Sequence, residues 1–270
     1  MNKPVKRTQR RANISDDIMN ARVLVTNDDG ILSPGIKLLY EVACSLFSDV
    51  WVVAPASEQS GKGHSLTLQK GLEVLNTSKK IYSVAGTPTD CVILALNEIM
   101  KNSPPDLVLS GVNNGYNLCE DTTYSGTIGA AIEATIADIP AIAFSQEKSE
   151  QGEIDCELAE ELIKKIINKL INFKWPEATL FNVNFPYRYN PNFNIKITRQ
   201  GKMKLGDDII LQNQTKNKSV YKIGKMYQSD IFDSETDIAA IRSGNVSITP
   251  LTIDITNHKE LDNLKTLFES

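Results

Sequence analysis

The 270-residue sequence has few of the residues and patterns that mark several specialised classes of protein. Its four cysteines include no CxxC pair, which disfavours a disulfide framework or a zinc site and favours a reducing compartment, the cytoplasm. No apolar run reaches the roughly 18 residues that a bilayer-spanning helix needs. The net charge of −4 disfavours a nucleic-acid interface, because phosphate contacts require clustered Lys and Arg. We therefore expect neither a membrane nor a nucleic-acid polymer as a partner.

Two nucleotide-binding motifs are also missing. The sequence contains neither GxGxxG nor GxxxxGK[ST], so a dinucleotide-binding protein and a P-loop protein both lose support. Histidine is scarce as well, with only His64 and His258 in the chain.

What is present is the composition of an ordinary globular protein, with 41% hydrophobic and 23% charged residues. Residues 1–20 stand apart, because five of the first eleven are Lys or Arg and no apolar segment follows them. This pattern is not a secretory signal, and it predicts a disordered basic extension. An Arg-rich transit peptide is the alternative, and Met19 is an alternative start. We expect residues 21–270 to form a single domain.

Short apolar strands alternate with amphipathic helices through the first two thirds of the chain. Strands are predicted over 22–27, 49–56, 80–88, 106–115 and 139–145, with helices over 35–47, 89–100, 125–138 and 155–172. This alternation predicts an α/β fold, a Rossmann-like doubly wound and mostly parallel sheet, with a core over about 21–185. β-branched residues over about 195–250 predict antiparallel strands or a C-terminal β-hairpin arm, and residues 257–269 predict a terminal helix.

Polar clusters follow three of the predicted strands: TNDDG, APASEQSGKGH and SGVNNGYN. In open α/β sheets such loops gather at the carboxyl edge of the strands, where ligands bind. The sequence therefore predicts a site at this edge.

The adjacent carboxylates Asp28 and Asp29 are the most informative feature of these loops. A turn at this point can bring both toward one place, and their repulsion favours a bound cation. Ser60 and Asn113 offer further oxygen ligands, a set that suits Mg²⁺ or Mn²⁺ better than zinc. The alternative is that Asp28 and Asp29 form an Asx-turn and cap the next helix, and that Ser60 and Asn113 are ordinary turn residues.

An anion site is predicted at Ser125, Gly126 and Thr127, which open a helix whose unpaired amides favour a phosphate. Simple N-capping explains the same residues. His64, in a Gly-rich loop, is a candidate acid or base, and the alternative is that it only orders the loop by hydrogen bonding.

Several segments together resemble the SurE family, the stationary-phase survival proteins that are metal-dependent 5′-nucleotidases. They are VLVTNDDGILSPGI, VVAPASEQSGKGHSLTL, AGTPTDCV, DLVLSGVNNGYNLCEDTTYSGTIGAAIEA, IPAIAFS and GNVSITPLTIDIT, in order from about residue 22 to residue 256. The resemblance implies that Asp28, Asp29, Ser60 and Asn113 hold one divalent cation per subunit, with Asp28 and Asp29 catalytic. It implies that Asn117 and the segment from Ser125 to Thr127 line the phosphate pocket.

The resemblance also implies the substrates and the assembly. Family members act on nucleoside 5′-monophosphates, some also on 3′-monophosphates or short polyphosphate, and they form dimers or tetramers through the C-terminal hairpin and terminal segment. This chain departs from the family at Cys119, where relatives often have glycine, and in VYKIGKM, which lacks an aromatic residue before Ile-Gly.

We interpret the chain as a metal-dependent phosphomonoesterase. The group that protonates the leaving oxygen stays open among Asp28, Asp29, a metal-bound water and His64. A haloacid-dehalogenase-type phosphatase needs DxD spacing, which the adjacent pair lacks. A non-catalytic nucleotide-binding protein with the same pocket is the remaining alternative.

Overall fold

Strand and helix alternate as predicted in the computed structural model, which describes residues 18–148, 156–230 and 233–269. The predicted disordered extension, apart from a short 3₁₀ turn at Ile18–Asn20, lies outside the described residues. The strands in chain order are β1 (Arg22–Thr26), β2 (Asp49–Pro55), β3 (Val74–Ser78), β4 (Ile81–Val84), β5 (Leu107–Asn114), β6 (Ala141–Gln146), β7 (Thr179–Phe185), β8 (Ile195–Ile197), β9 (Lys204–Thr215), β10 (Lys218–Gln228) and β11 (Val246–Thr252).

Nine of the strands in the described residues form one sheet in the order β3-β4-β2-β1-β5-β6-β7-β11-β8. The six strands from β4 to β7 run parallel, whereas β3 is antiparallel to β4 and β11 is antiparallel to β7. The prediction of a mostly parallel α/β sheet is therefore confirmed.

Helices cover both faces of this sheet. They are α1 (Pro34–Leu46), α2 (Pro88–Leu94), α3 (Gly126–Ile136), α4 (Cys156–Ile171), α5 (Asp237–Arg242) and α6 (His258–Glu269). α1 and α4 pack on one face against Val23 and Val25, and α2 and α3 pack on the other against Leu24. Successive residues of β1 are buried on opposite sides of the sheet. Both faces of the central strands are therefore covered by helices, as is usual for parallel sheets.

The predicted helix starts have clear capping chemistry. Ser33 caps α1 by accepting a hydrogen bond from the backbone N of Ile36, and Pro34 occupies the first helical position. Of the two candidate caps for α2, Thr87 is the one used, in a reciprocal capping box with Asp90. α2 then continues as a π-helical turn, Ala95–Ile99.

The C-terminal third contains the predicted hairpin, formed by β9 and β10 as a separate two-stranded antiparallel sheet. The hairpin is shorter than the predicted arm over 195–250, because β8 and β11 at the ends of that stretch join the main sheet. The sequence interpretation also did not include β3, β7 or α5. The terminal helix α6 forms as predicted and is exposed along its length. No helix within the described part of the chain is long and apolar enough to cross a membrane.

Candidate active site

A cavity of about 710 Å³ lies at the carboxyl edge of the sheet, where β1, β2 and β5 end. Six of the predicted site residues line it: Asp28, Asp29, Ser60, Asn113, Asn117 and Ser125. The loops that follow separate strands of the sequence therefore meet at one place, as the parallel topology requires.

The turn after β1 is fixed by Asn27, which is fully buried. Its Nδ2 donates to the carbonyl oxygen of Gly30 at 2.9 Å and to Ser33 Oγ at 2.8 Å. Gly30 has φ +95°, and a Cβ there would lie 3.1 Å from the backbone of Ser57. The turn thus needs glycine, and it directs both following carboxylates toward the cavity.

Asp28 lies deepest, with 3% of its surface exposed. Its Oδ1 accepts a hydrogen bond from Thr127 Oγ1 at 2.5 Å. Burial raises the pKa of Asp28 from 3.8 to about 6, the Thr127 hydrogen bond lowers it, and the charge of Asp29 raises it. Without a cation, the protein therefore holds a carboxylate whose charge the surroundings disfavour.

Asp29, the next residue in the turn after β1, lies near the carboxyl end of β5. Its Oδ2 accepts a hydrogen bond from the backbone N of Asn114 at 3.1 Å. Burial raises the pKa of Asp29, and the charge of Glu58 adds to this effect, whereas the Asn114 hydrogen bond and the charge of Lys148 oppose it. The pKa of each carboxyl group in the pair is thus raised, and a cation bound between them would favour the ionised form of both.

Ser60 and Asn113 each donate a hydrogen bond to a neighbouring residue, so their side-chain oxygens can still accept a hydrogen bond or bind an ion. Ser60 Oγ donates to Glu58 Oε1 at 2.9 Å. Asn113 Nδ2 donates to the carbonyl oxygen of Gly115 at 2.8 Å, which leaves the amide oxygen to accept or to coordinate.

Asn117 is held by a buried network of amides. Its backbone N donates to Asn184 Oδ1 at 2.8 Å, and its carbonyl oxygen accepts from Asn182 Nδ2 at 2.8 Å. One hydrogen of its Nδ2 goes to Ser145 Oγ at 2.8 Å. Within the described part of the chain the second Nδ2 hydrogen has no acceptor, and Asn117 lines the cavity.

The predicted anion segment divides between two positions. Ser125 lines the cavity and caps α3, with Oγ accepting from the backbone N of Ile128 at 3.1 Å. The Thr127 side chain is instead fully buried and donates its hydroxyl to Asp28, the Thr127 backbone also lowers the pKa of Asp28 by hydrogen bonding, and Thr127 does not line the cavity. Gly126 packs against Asp28 so closely that a Cβ would lie 2.8 Å from Asp28 Cβ.

His64 is placed away from this cavity. Its Nε2 lies 3.0 Å from Glu133 Oε2 on α3, and His64 is not among the residues that line the cavity. This contact fits the alternative interpretation, in which the histidine fixes the loop after β2 against α3.

Among the cavity residues that sequence reasoning missed are five with ionisable or aromatic side chains: Glu58, Tyr116, Asp121, Tyr124 and Lys148. Burial raises the pKa of Asp121 from 3.8 to about 6; the charge of Glu120 raises it further, and that of Lys204 lowers it. Asp121 and Tyr124 fall inside the quoted motif NLCEDTTYSGT, but nothing in their spacing marks them as cavity residues.

The charge balance decides what the cavity can bind. The described residues that line it carry four carboxyl groups, from Asp28, Asp29, Glu58 and Asp121, against one ammonium group, from Lys148. Among the described residues, no three His, Cys, Asp or Glu side chains form a metal-binding group. An ion here would therefore rely on two carboxylates and neutral oxygens, a set that suits a hard divalent cation, and an anion would need that cation to enter.

The chain is similar to known proteins in both sequence and structure. The family model described as "Survival protein SurE" matches residues 23–207. The protein "5'-nucleotidase SurE" of Paramagnetospirillum magneticum is 44% identical over 253 residues, covering 93% of this chain and 97% of the relative. The same-named protein of Rhodospirillum rubrum is 40% identical over 256 residues, covering 93% and 98%. The crystal structure of the SurE protein from Aquifex aeolicus superimposes with a TM-score of 0.79 at 40% identity, covering 91% of this chain and 99% of that one.

Proposed function

The chain belongs to the SurE family, and from this premise we propose that it is a metal-dependent 5′-nucleotidase. The reaction is hydrolysis of a nucleoside 5′-monophosphate to nucleoside and phosphate. One observation carries the proposal: the buried carboxylate of Asp28 and the partly buried carboxylate of Asp29, both with raised pKa, line one cavity together with the Ser125 cap of α3.

Four oxygen donors would hold the ion: the carboxylates of Asp28 and Asp29, the hydroxyl of Ser60 and the amide oxygen of Asn113. They fit Mg²⁺ or Mn²⁺, one per subunit, because all four are hard oxygen ligands. A divalent ion held there would neutralise charge on the phosphate and activate the attacking water.

The remaining phosphate oxygens would be bound by groups near the start of α3. The Ser125 hydroxyl, the Nδ2 group of Asn117 and the first backbone amide of α3, at Gly126, are the candidate donors. Helix N-termini favour anions, and fixed donors of this kind stabilise charge without reorganising during reaction. These residues orient the phosphoester for displacement by water.

Phosphate release from AMP or GMP tests the proposal. Purified protein should release phosphate when Mn²⁺ or Mg²⁺ is present, lose this activity in EDTA, and recover it when metal is added back. Activity that survives EDTA would contradict the metal dependence. Tight nucleotide binding without phosphate release under every ion tried would instead support a non-catalytic nucleotide-binding protein. A panel of 3′-nucleotides and short polyphosphate then defines the range of substrates.

We further infer a homodimer or homotetramer assembled through the hairpin. Its strands expose apolar side chains that water disfavours: Ile209, Ile210, Leu211, Val220, Tyr221 and Ile223. Light scattering coupled to gel filtration should give a mass of two or four chains, and a monomer would overturn this part of the proposal.

The free thiols of Cys44, Cys91 and Cys119 support a reducing compartment, the cytoplasm.

A further inference from the structure

The leaving nucleoside needs a proton, and the carboxyl groups and the histidine in or near the cavity are candidate sources. The proposed function gives Asp28 and Asp29 to the cation, so their carboxylates would be ionised. His64 is paired with Glu133 outside the cavity lining. Glu58 is exposed and accepts the hydroxyl hydrogen of Ser60, which places it beside the proposed metal ligands.

Asp121 differs from these groups in its surroundings. It lines the cavity and is half-buried, and within the described residues no hydrogen bond to its carboxyl group is found. Burial and the neighbouring charge of Glu120 favour its protonated form, although Lys204 opposes them. A carboxyl group with a pKa of about 6 retains a minor protonated fraction at neutral pH, far more than an ordinary aspartate does, and such a group can act as a general acid.

The backbone that carries Asp121 is firmly held. It lies in a 3₁₀ turn, Cys119–Thr123, that ends just before the Ser125 cap of α3. The backbone N of Asp121 donates to the carbonyl oxygen of Leu118 at 3.0 Å, and its own carbonyl oxygen accepts from the backbone N of Tyr124 at 3.0 Å. The side chain is thus anchored at one end and unconstrained at the carboxyl group.

Neighbouring elements fix the same turn from outside the cavity. Glu120 Oε2 accepts from the backbone N of Met203 at 2.9 Å, which joins the turn to the base of the hairpin. Buried Asp237 accepts from the backbone N of Cys119 at 2.9 Å. Glu120 and Asp121 are therefore adjacent carboxylates with different tasks, one bound to backbone amides and the other facing the cavity.

Resting on the proposed nucleotidase function, we propose that Asp121 is the general acid that protonates the leaving O5′ oxygen of the nucleoside. The water oxygen forms a bond to phosphorus, and the P–O5′ bond breaks with its electron pair passing to O5′. The carboxyl proton of Asp121 goes to O5′, so the nucleoside leaves as a neutral alcohol and the phosphate as H₂PO₄⁻. One proton of that phosphate then returns through solvent to the Asp121 carboxylate, leaving HPO₄²⁻.

The experiment compares two leaving groups in the Asp121→Asn variant. An alkoxide such as the O5′ of AMP needs a proton as it leaves, whereas the nitrophenolate of p-nitrophenyl phosphate leaves without one. We expect Asp121→Asn to lower kcat for AMP by about 100-fold or more, in the range typical of general acid catalysis. Its kcat for p-nitrophenyl phosphate should stay within about threefold of wild type, by the same principle. The retained activity on the second substrate also shows that the variant is folded and binds metal.

Glu120→Gln is the matched control, because it removes the adjacent carboxylate without touching the cavity lining. Because the charge of Glu120 also raises the pKa of Asp121, Glu120→Gln should lower kcat for AMP slightly more than kcat for p-nitrophenyl phosphate, but by far less than Asp121→Asn does. Equal loss on both substrates in Asp121→Asn, or unchanged AMP hydrolysis, would overturn the role of Asp121 and leave the nucleotidase proposal intact. A wild-type protein that hydrolyses neither substrate with any divalent ion would overturn both proposals.

Discussion

Thr127 Oγ1 donates a 2.5 Å hydrogen bond to Asp28 Oδ1, and both side chains are almost completely buried. The contact joins the turn after β1 to the first turn of α3. It therefore ties the proposed metal ligand to the helix that would hold the phosphate. The hydroxyl also supports the ionised form of Asp28 against its burial.

Removing this hydroxyl should weaken metal binding. We expect Thr127→Val, which keeps the shape of the side chain, to raise the Mn²⁺ concentration needed for half-maximal AMP hydrolysis about tenfold, since a hydrogen bond to a charged group contributes roughly 1.5–3 kcal/mol. Thr127→Ser, which keeps the hydroxyl, should stay near wild type. Equal Mn²⁺ curves for Val and wild type would show that the contact has no role in metal binding.

Gly126 should tolerate no side chain. In Gly126→Ala the new Cβ would lie 2.8 Å from Asp28 Cβ and 3.0 Å from Pro88 Cγ, so Asp28 must move. Alanine favours helix, so circular dichroism should show the helix content retained while metal-dependent activity falls at least tenfold (about 1.4 kcal/mol). Gly71→Ala is the control, because a Cβ there meets nothing within 4 Å. Full activity in Gly126→Ala would contradict this packing argument.

The buried charge of Asp28 should lower stability in EDTA as pH rises. Its pKa is raised from 3.8 to about 6 in the folded protein, so the folded state binds the proton more tightly than the unfolded state does. Stability is therefore present below pH 3.8 and is lost as pH rises through about 6. Asp28→Asn removes this loss and should be more stable than wild type by up to about 3 kcal/mol at pH 8, at about 1.4 kcal/mol per pKa unit.

Urea denaturation at pH 4 and pH 8 measures the effect. The gain of Asp28→Asn should nearly vanish at pH 4, and Mn²⁺ should stabilise the wild type but not the variant. A variant less stable than wild type at pH 8 in EDTA would contradict the electrostatic account.

Ser125 should act on both phosphate and helix stability. Ser125→Ala removes a cavity hydroxyl and the cap of α3, so we expect several-fold weaker inhibition by inorganic phosphate, near-normal Mn²⁺ affinity, and a loss of about 1 kcal/mol in unfolding free energy. Thr87→Ala removes the cap of α2 without altering the cavity lining. Thr87→Ala should lose a similar amount of unfolding free energy and keep its inhibition by phosphate. If Ser125→Ala and wild type are inhibited equally by phosphate, Ser125 does not belong to the anion site.

Cys119 occupies a backbone conformation that favours glycine, with φ +51°. This conformation costs roughly 1–2 kcal/mol in non-glycine residues. The Sγ atom lies 3.4 Å from Asp237 Oδ1, and this weak hydrogen bond does not offset that cost. We therefore expect Cys119→Gly to melt at a higher temperature than Cys119→Ala, which keeps the strain and loses the sulfur. The reverse order would show that cavity formation in the core outweighs the backbone term.

The sequence predicted which residues line the cavity where position along a strand decides it. Asp28 and Ser60 follow β1 and β2, and Asn113 lies at the end of β5; parallel strands bring their carboxyl ends to one edge regardless of their separation in sequence. Helix caps were equally accessible, because Ser33 and Thr87 act on amides only a few residues away.

The features of the site that the sequence did not predict depend on contacts between elements that are distant in sequence. Asn182 and Asn184 support Asn117 only because β7 lies beside β6, and β7 itself was not anticipated. Asp121 became visible only when the 3₁₀ turn was placed in the cavity wall. Thr127 was expected to face phosphate, but its side chain turns to Asp28, a choice set by packing rather than by spacing.

The base of the hairpin is attached to the cavity wall at two points. Gln228 Nε2 donates to Tyr116 Oη at 3.1 Å, and the Lys204 ammonium lies 5.1 Å from the centre of the Tyr124 ring. Both tyrosines line the cavity. A shortened variant should therefore keep Lys204 and Gln228 and lose only the distal turn of the hairpin. Deletion of the whole hairpin would also remove the contacts that hold Tyr116 and Tyr124 in the cavity lining.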